Sequence, residues 1–277
     1  MARNKRIYIS VDFEGAACVI GNPGNPTEPL GSGLNTTTPI FQQAQRLVTG
    51  EVNAAVRGAL AGGATEVIVE DAHGSGHSLL YEEIHPEAKV LMGGPRPRRF
   101  CMLDGAFDGL LLLCYHAMAG ARGGILSHSY SSMSVHRLAL NGRAIGEIAI
   151  DAAVAGARGV PTIFVSSDEA GCAEARKFLG KGVVTVATKK GISRNCALSL
   201  SPAKAQVLTQ AGVQRAVANC AAIKPYRLSG PFVLERTFKW ESQADAVASG
   251  NGNGAERINA YTVRYRAKTM EELSHCV

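Results

Sequence analysis

Short apolar runs alternating with longer stretches of helical spacing constrain this chain more than any other feature. Ile7–Val11, Glu66–Glu70, Lys89–Met92 and Gly109–Tyr115 read as strands, the last apolar on both faces. Ile40–Ala61 has helical spacing and stops at Gly62-Gly63, a signal that ends helices. Arg137–Leu140 and Ala144–Ile145 flank Asn141-Gly142, whose tolerance of positive φ predicts a two-residue hairpin turn. A helix over Glu147–Ala157, a strand over Thr162–Val165, a helix over Ala170–Leu179 and a strand over Val183–Ala187 continue the alternation. Strands separated by helices pair in parallel through crossovers, so the expected fold is α/β, a three-layer α/β/α sheet. In such sheets functional groups gather just beyond the C-terminal ends of the strands.

After about Pro202 the pattern changes. A long helix, Ala203–Ala222, precedes two strand-like segments, Phe232–Thr237 and Tyr261–Arg266, with the Gly/Asn-rich loop Ser249–Gly254 between them. This predicts a larger α/β domain over residues 1–200, carrying the chemistry, and a smaller C-terminal α+β subdomain over residues 201–277.

Composition removes several function classes. The 277 residues are 46% hydrophobic and 19% charged, which is ordinary for a globular chain and gives no ground for disorder. The net charge is +6, but the basic residues are scattered. The densest group, Arg96, Arg98 and Arg99, is too short for a nucleic-acid stripe, so no nucleic-acid partner is expected. No apolar stretch reaches spanning length and none of signal-peptide length follows the basic N-terminus, so neither a membrane partner nor secretion is expected. Seven cysteines at irregular spacing, with no C-x-x-C pair, suggest reduced and mostly buried thiols in a cytoplasmic protein. Cys114 interrupts an apolar run and reads as core packing.

The chemistry sits at the strand ends. Asp12 and Glu14 lie two apart at the end of the first strand and so face the same way. Two carboxylates together repel unless a divalent cation, or a salt bridge to a Lys or Arg, relieves them. His73 and His116 stand just past two further strands. Each alone reads as a structural histidine; with the carboxylate pair at equivalent strand ends, they point to a metal site. Glu147, in a first helical turn, fits either a ligand or a group favourable to the helix dipole. Oxygen and imidazole ligands without cysteine suit zinc, and a paired-metal site activates water and clamps an oxyanion. His128, between two serines on a Gly-rich loop, is either a proton-transfer group near the metals or an exposed loop histidine. His77, His85, His136 and His275 have no convergent partners, His77 being the nearest because it shares the loop of His73.

These segments, in this order, resemble the D-aminopeptidase family of zinc metallopeptidases, the dipeptide-permease-operon type. The matching strings are Ser10-Val11-Asp12-Phe13-Glu14-Gly15, Asp71-Ala72-His73, Tyr115-His116-Ala117, Ser127-His128-Ser129 and Asn141–Glu147. Ile192-Ser193-Arg194 and Leu200-Ser201-Pro202-Ala203-Lys204-Ala205 match as well. The resemblance implies two Zn2+ ions per subunit, with Asp12 bridging both. Glu14 and His73 complete one ion's protein ligands, and His116 and Glu147 the other's. His128 is then the catalytic histidine that does not bind metal. The implied reaction removes an N-terminal D-amino acid, such as D-Ala, from short peptides. A ring-like homo-oligomer is also implied, with a decamer as the candidate size. The Asn22–Thr38 loop, rich in Gly, Pro and Thr, is where substrate preference is expected to diverge from relatives. Rival readings are another dinuclear metallohydrolase, such as a phosphoesterase or amidase, and a catalytically silent oligomeric homologue. Arg122 beside Gly123-Gly124 is the feature a phosphoesterase could use.

Overall fold

The computed structural model describes residues 4–21, 39–250 and 254–276; the Asn22–Thr38 loop, apart from its neighbours, and the centre of the Ser249–Gly254 loop fall outside them. In chain order the elements begin with β1 (Arg6–Val11), α1 (Pro39–Ala61), β2 (Glu66–Asp71), β3 (Ala88–Leu91) and β4 (Gly109–Leu113). They continue with β5 (Val135–Leu140), β6 (Arg143–Ala144), α2 (Glu147–Ala157), β7 (Thr162–Asp168), α3 (Glu169–Leu179), β8 (Val184–Ser193) and β9 (Cys196–Ser199). The remainder is α4 (Pro202–Ala218), β10 (Phe232–Phe238), α5 (Glu241–Ala248), β11 (Glu256–Arg257), β12 (Thr262–Ala267) and α6 (Met270–Ser274).

The expected α/β fold is what the chain adopts. Seven strands form one sheet in the order β3-β2-β1-β4-β7-β8-β9, parallel throughout except for β9, which runs antiparallel on the β8 edge. Alternation of side chains divides the core between the sheet's faces. Ile7, Ile9 and Val11 of β1 and Leu111 and Leu113 of β4 pack with Val48, Val52 and Val56 of α1 and Val213 and Val217 of α4. On the other face Tyr8, Leu110 and Leu112 pack with Ile148 and Ala149 of α2. Burial on both faces explains why β4 reads as an unbroken apolar run.

A second sheet of five strands, β11-β12-β10-β5-β6, is antiparallel and joins the same core through Leu138, Leu140, Leu234 and Val263. The β5–β6 hairpin turns at Asn141 and Gly142 with φ of 48° and 80°, the positive values a two-residue turn demands. Asn141 also ties the hairpin to the neighbouring strand β10 of the same sheet: its Oδ1 accepts from Val233 N at 2.7 Å.

This arrangement departs from the expected division at residue 200. The second sheet takes β5 and β6 from one side of that position and β10 to β12 from the other, while α4 packs beside α1 on the parallel sheet. The hairpin's apolar face finds its partner some ninety residues later, a pairing no local pattern encodes. The long helix also stops earlier than expected, at Ala218, followed by a single 3-10 turn over Cys220–Ala222. Strand β9 and helices α5 and α6 are additional, each four to eight residues long and so below the length at which periodicity is decisive. All seven cysteines are free thiols, but only Cys114, Cys172 and Cys220 are buried. No helix among the described residues is long and apolar enough to cross a membrane.

One close approach brings the ends of β1 and β4 together. Gly15 N donates to Cys114 O at 2.7 Å, so the loop after β1 lies directly against the end of β4. A Cβ at Gly15 would overlap the carbonyls of Tyr115 and Cys114. Gly15→Ala is therefore expected to push the two strand ends apart and lower stability by about 1–3 kcal/mol, the cost of overpacking. Urea denaturation of the variant beside the parent measures this; an unchanged midpoint would contradict the close-approach argument.

Candidate metal centre

The six side chains singled out from the sequence come together beyond the C-terminal ends of β1, β2 and β4 and at the N-terminus of α2. His116 Nε2 lies 3.4 Å from Asp12 Oδ2 and 3.2 Å from Glu147 Oε1. His73 Nε2 is 3.7 Å from Glu14 Oε1. His128 Nε2 is 3.9 Å from Glu14 Oε1 and 4.0 Å from Glu147 Oε1, and its ring stacks on that of His116 with centroids 3.8 Å apart. Two overlapping triplets, Asp12–Glu14–His116 and His116–His128–Glu147, each gather three ligand-type atoms within 4.8 Å of one another. None of the six is more than 8% exposed.

Such burial leaves the acids in an awkward electrostatic state. Asp12 Oδ2 and both Glu14 oxygens are buried without a hydrogen-bond donor. Burial, reinforced by the charges of Glu14 and Glu147 and opposed by His116, pushes the Asp12 carboxyl well above the usual range. Burial pushes Glu14 the same way, but His73, His128 and His116 outweigh it and hold Glu14 at about 2. Glu147 is likewise held at about 2, because His116 and His128 and the Tyr130 amide overcome desolvation. His116 is raised despite its burial, by Glu147, Asp12 and Glu14. His128 is lowered, by burial and by the His116 charge beside it. Three carboxylates and the imidazoles of His116 and His128 thus compete for protons among buried groups.

The outward-facing nitrogens show what the pocket is shaped for. Nδ1 of His116 meets Ala117 O at 3.0 Å, and Nδ1 of His128 meets Leu126 O at 2.8 Å. A carbonyl can only accept, so a neutral imidazole keeps its proton on Nδ1 and turns the Nε2 lone pair toward the carboxylates. Nδ1 of His73 is held by Ser78 Oγ at 2.7 Å, and its ring stacks on Phe13. Orphaned carboxylate oxygens facing lone pairs on oriented imidazoles fit a divalent cation, and oxygen and nitrogen donors without sulfur fit zinc.

The scaffold that holds these groups lay outside the sequence-level candidates. Lys189, buried on β8, donates to the carbonyls of Glu14, Ala16 and Val19 at 2.5, 2.7 and 2.5 Å and so pins the loop that carries Glu14. Asp168 ends β7, caps α3 by accepting from Gly171 N, and takes Ile125 N at 2.6 Å, anchoring the loop of His128. That loop has non-glycine residues in the left-handed region at Leu126 (φ 51°) and Tyr130 (φ 58°), on either side of His128. Backbone strain of this kind persists only where the surroundings over-determine it. Tyr130 N donates to Glu147 Oε1, and the Tyr130 hydroxyl joins the buried Asp151–Arg99–Tyr115 network beneath. Of these supports, Tyr115 and Arg194, which donates to Ser127 O, are the ones that stand in matching strings. Among the described residues none of the other histidines joins these triplets; His136 lines a cavity beside His128, and exposed His77 turns Nδ1 to Ser75 O. Cys114 is a core residue as expected, its thiol pushed up by burial and by Glu51.

The family model described as Peptidase M55, D-aminopeptidase, matches residues 5–277. A D-aminopeptidase of Bacillus subtilis (strain 168) is 33% identical over 270 residues, covering 96% of this chain and 93% of that protein. Among solved structures, the Zn-dependent D-aminopeptidase DppA from Bacillus subtilis, described as a self-compartmentalizing protease, superposes with a TM-score of 0.85 at 31% identity. The match covers 98% of this chain and 94% of that one.

Glu174 of α3 supports the cluster from behind, its Oε2 accepting Met118 N at 2.8 Å while Oε1 is buried without a donor. Burial, opposed by that amide, raises its pKa to about 7 from the 4.5 of an open chain. The folded state then binds this proton more tightly than the unfolded one. Its contribution to stability is full below the unfolded value and is lost as pH rises through 7. Glu174→Gln, which cannot ionise, is expected to gain on the parent between about pH 5 and pH 8, by about 1–3 kcal/mol in metal-free protein. Denaturant midpoints at the two pH values measure the gain, and a pH-independent difference would contradict it.

Proposed function

The chain belongs to the Peptidase M55 family of D-aminopeptidases, and on that premise we propose that it is a zinc-dependent enzyme that removes N-terminal D-amino acids, such as D-Ala, from short peptides. The observation that carries this reading is the set of buried, donor-free oxygens on Asp12 and Glu14 opposite the Nε2 atoms of His73, His116 and His128. Asp12 would bridge two Zn2+ ions, with Glu14 and His73 on one and His116 and Glu147 on the other. Zinc held there supplies Lewis-acid polarisation of the scissile carbonyl and an acidified water at neutral pH.

The chain's own residues set the rest. Carbonyls at the Nδ1 atoms of His116 and His128 fix which nitrogen of each ring faces the reaction. His128, with its pKa lowered by burial and by His116, is neutral and able to take or return a proton at Nε2 near neutral pH. It also lines a cavity, into which a leaving amine would emerge. The low exposure of the whole cluster excludes bulk water, which strengthens every electrostatic contact within it. The described relative is self-compartmentalizing, and a ring-like homo-oligomer, with a decamer as candidate size, would likewise restrict access to short peptides. Activity in the cytoplasm accords with the free thiols.

Zinc-loaded protein offered D-Ala-D-Ala, L-Ala-L-Ala and a chromogenic phosphate ester is expected to hydrolyse the D-dipeptide and to lose that activity to a chelator. Turnover of the ester without the peptide would replace the peptidase with a phosphoesterase. For the roles, His128→Ala is expected to retain its zinc and to lose turnover by about 10²- to 10⁴-fold, the range of proton-transfer catalysis. Zinc loss in that variant would make His128 a ligand, a role its 4.0 Å approach to Glu147 also permits. Asp12→Ala is expected to lose both ions; full metal content would refute the bridge.

A further inference from the structure

Beside His128 lies a cavity of ≈ 450 Å³ built where the two sheets meet. Its charged and titratable lining is Arg194 after β8, Lys239 after β10, His136 and Arg137 on β5, and His128 itself; no Asp or Glu side chain lines it among the described residues. Three cations therefore share one cavity with no acid among them.

Two of the three are aimed by the backbone. Arg194 Nη1 donates to Ser127 O at 2.5 Å, the residue before His128, and Lys239 Nζ donates to Ser132 O at 2.5 Å. Each bond uses one donor of a group that has several, five on a guanidinium and three on an ammonium. Among the described residues no ion pair is formed by either; the charge of Glu14 reaches Arg194 but does not pair with it. Burial, and then the neighbouring Arg194, lowers the pKa of Lys239, which places the two cations close enough to repel. Like charges held together without a counter-ion stabilise a fold poorly and bind an anion well.

Resting on the peptidase reading above, we propose that Arg194 and Lys239 clamp the C-terminal carboxylate of the peptide, so that the enzyme selects very short peptides with a free C-terminus. The substrate's α-amino end and scissile bond are at the carboxylate–imidazole cluster, and His128 is the boundary between that cluster and the cavity. A carboxylate one or two residues beyond the scissile bond is the anion that a short peptide brings to this side. A longer peptide must thread past the cations with neutral backbone, forfeiting the ion pair.

The test compares affinities of a D-Ala-D-Ala analogue with a reduced, unhydrolysable peptide bond, of its C-terminal amide, and of the corresponding D-Ala-D-Glu amide, by calorimetry on the zinc-loaded protein. The free acid is expected to bind at least about 10-fold more tightly than its amide, as charge-assisted hydrogen bonds provide. In the Arg194→Gln/Lys239→Gln double variant that ratio is expected to fall toward one. Equal affinities of acid and amide in the parent protein would overturn the clamp, and this comparison needs no variant to fold. A ratio that survives the double substitution would assign the carboxylate to other residues and also overturn it. Tight binding of the D-Ala-D-Glu amide alone would move the anion from the terminus to a side chain, again against the proposal. Turnover of D-Ala-D-Ala is scored separately. Its absence would defeat the peptidase reading and leave the affinity ratio to decide the clamp.

Discussion

Negative charge buried without donors is the constraint on which this molecule turns. Carboxylate oxygens on Asp12 and Glu14 are withdrawn from water and given no hydrogen bond, a state that costs several kcal/mol per group unless a cation or proton compensates it. Imidazoles alone compensate poorly, because each gained proton is itself a buried charge. The opposed shifts, with Asp12 raised, Glu14 and Glu147 lowered, and His116 raised while His128 is lowered, are what shared protons look like in a site shaped for something stronger.

Much of the structure around the cluster serves to keep those groups from relaxing apart. Lys189 grips three carbonyls of the loop that bears Glu14, Asp168 grips the loop that bears His128, and the missing side chain of Gly15 lets the ends of β1 and β4 touch. The second sheet contributes from the opposite side. It orients the hairpin that delivers Glu147 at the start of α2 and supplies Lys239 and Arg137 to the cavity next to His128. Precise placement therefore depends on supports that never touch a substrate, which is how rigid sites are generally held.

The sequence discloses these layers unequally. The parallel strands announce themselves because burial on both faces demands continuous apolar runs, and Asn141-Gly142 announces its hairpin because few residues tolerate two positive φ values. Asp12, Glu14, His73 and His116 are legible because they follow strands directly, where this kind of sheet collects its chemistry. Lys189 is not legible: a lysine in a polar-looking strand segment carries no mark of its three backbone acceptors 170 or more residues away. The partnership of β5 with β10 is equally silent, since it depends on chain separation rather than on any local period. Glu147 and His128 stand between the two cases. Their residue types suit several roles, and only the fold brings them within 4.0 Å of each other beside His116.

The buried acidity of Asp12 and Glu14 makes physical sense only as a place to hold metal. Protein purified without chelators and without added metal, then measured by plasma emission spectroscopy against its amino-acid content, gives the zinc bound per chain directly. Two zinc ions per chain are predicted, released together as acid protonates the carboxylates and imidazoles. A natively folded protein that carries no zinc, and takes up none when zinc is offered in excess, would contradict the central claim.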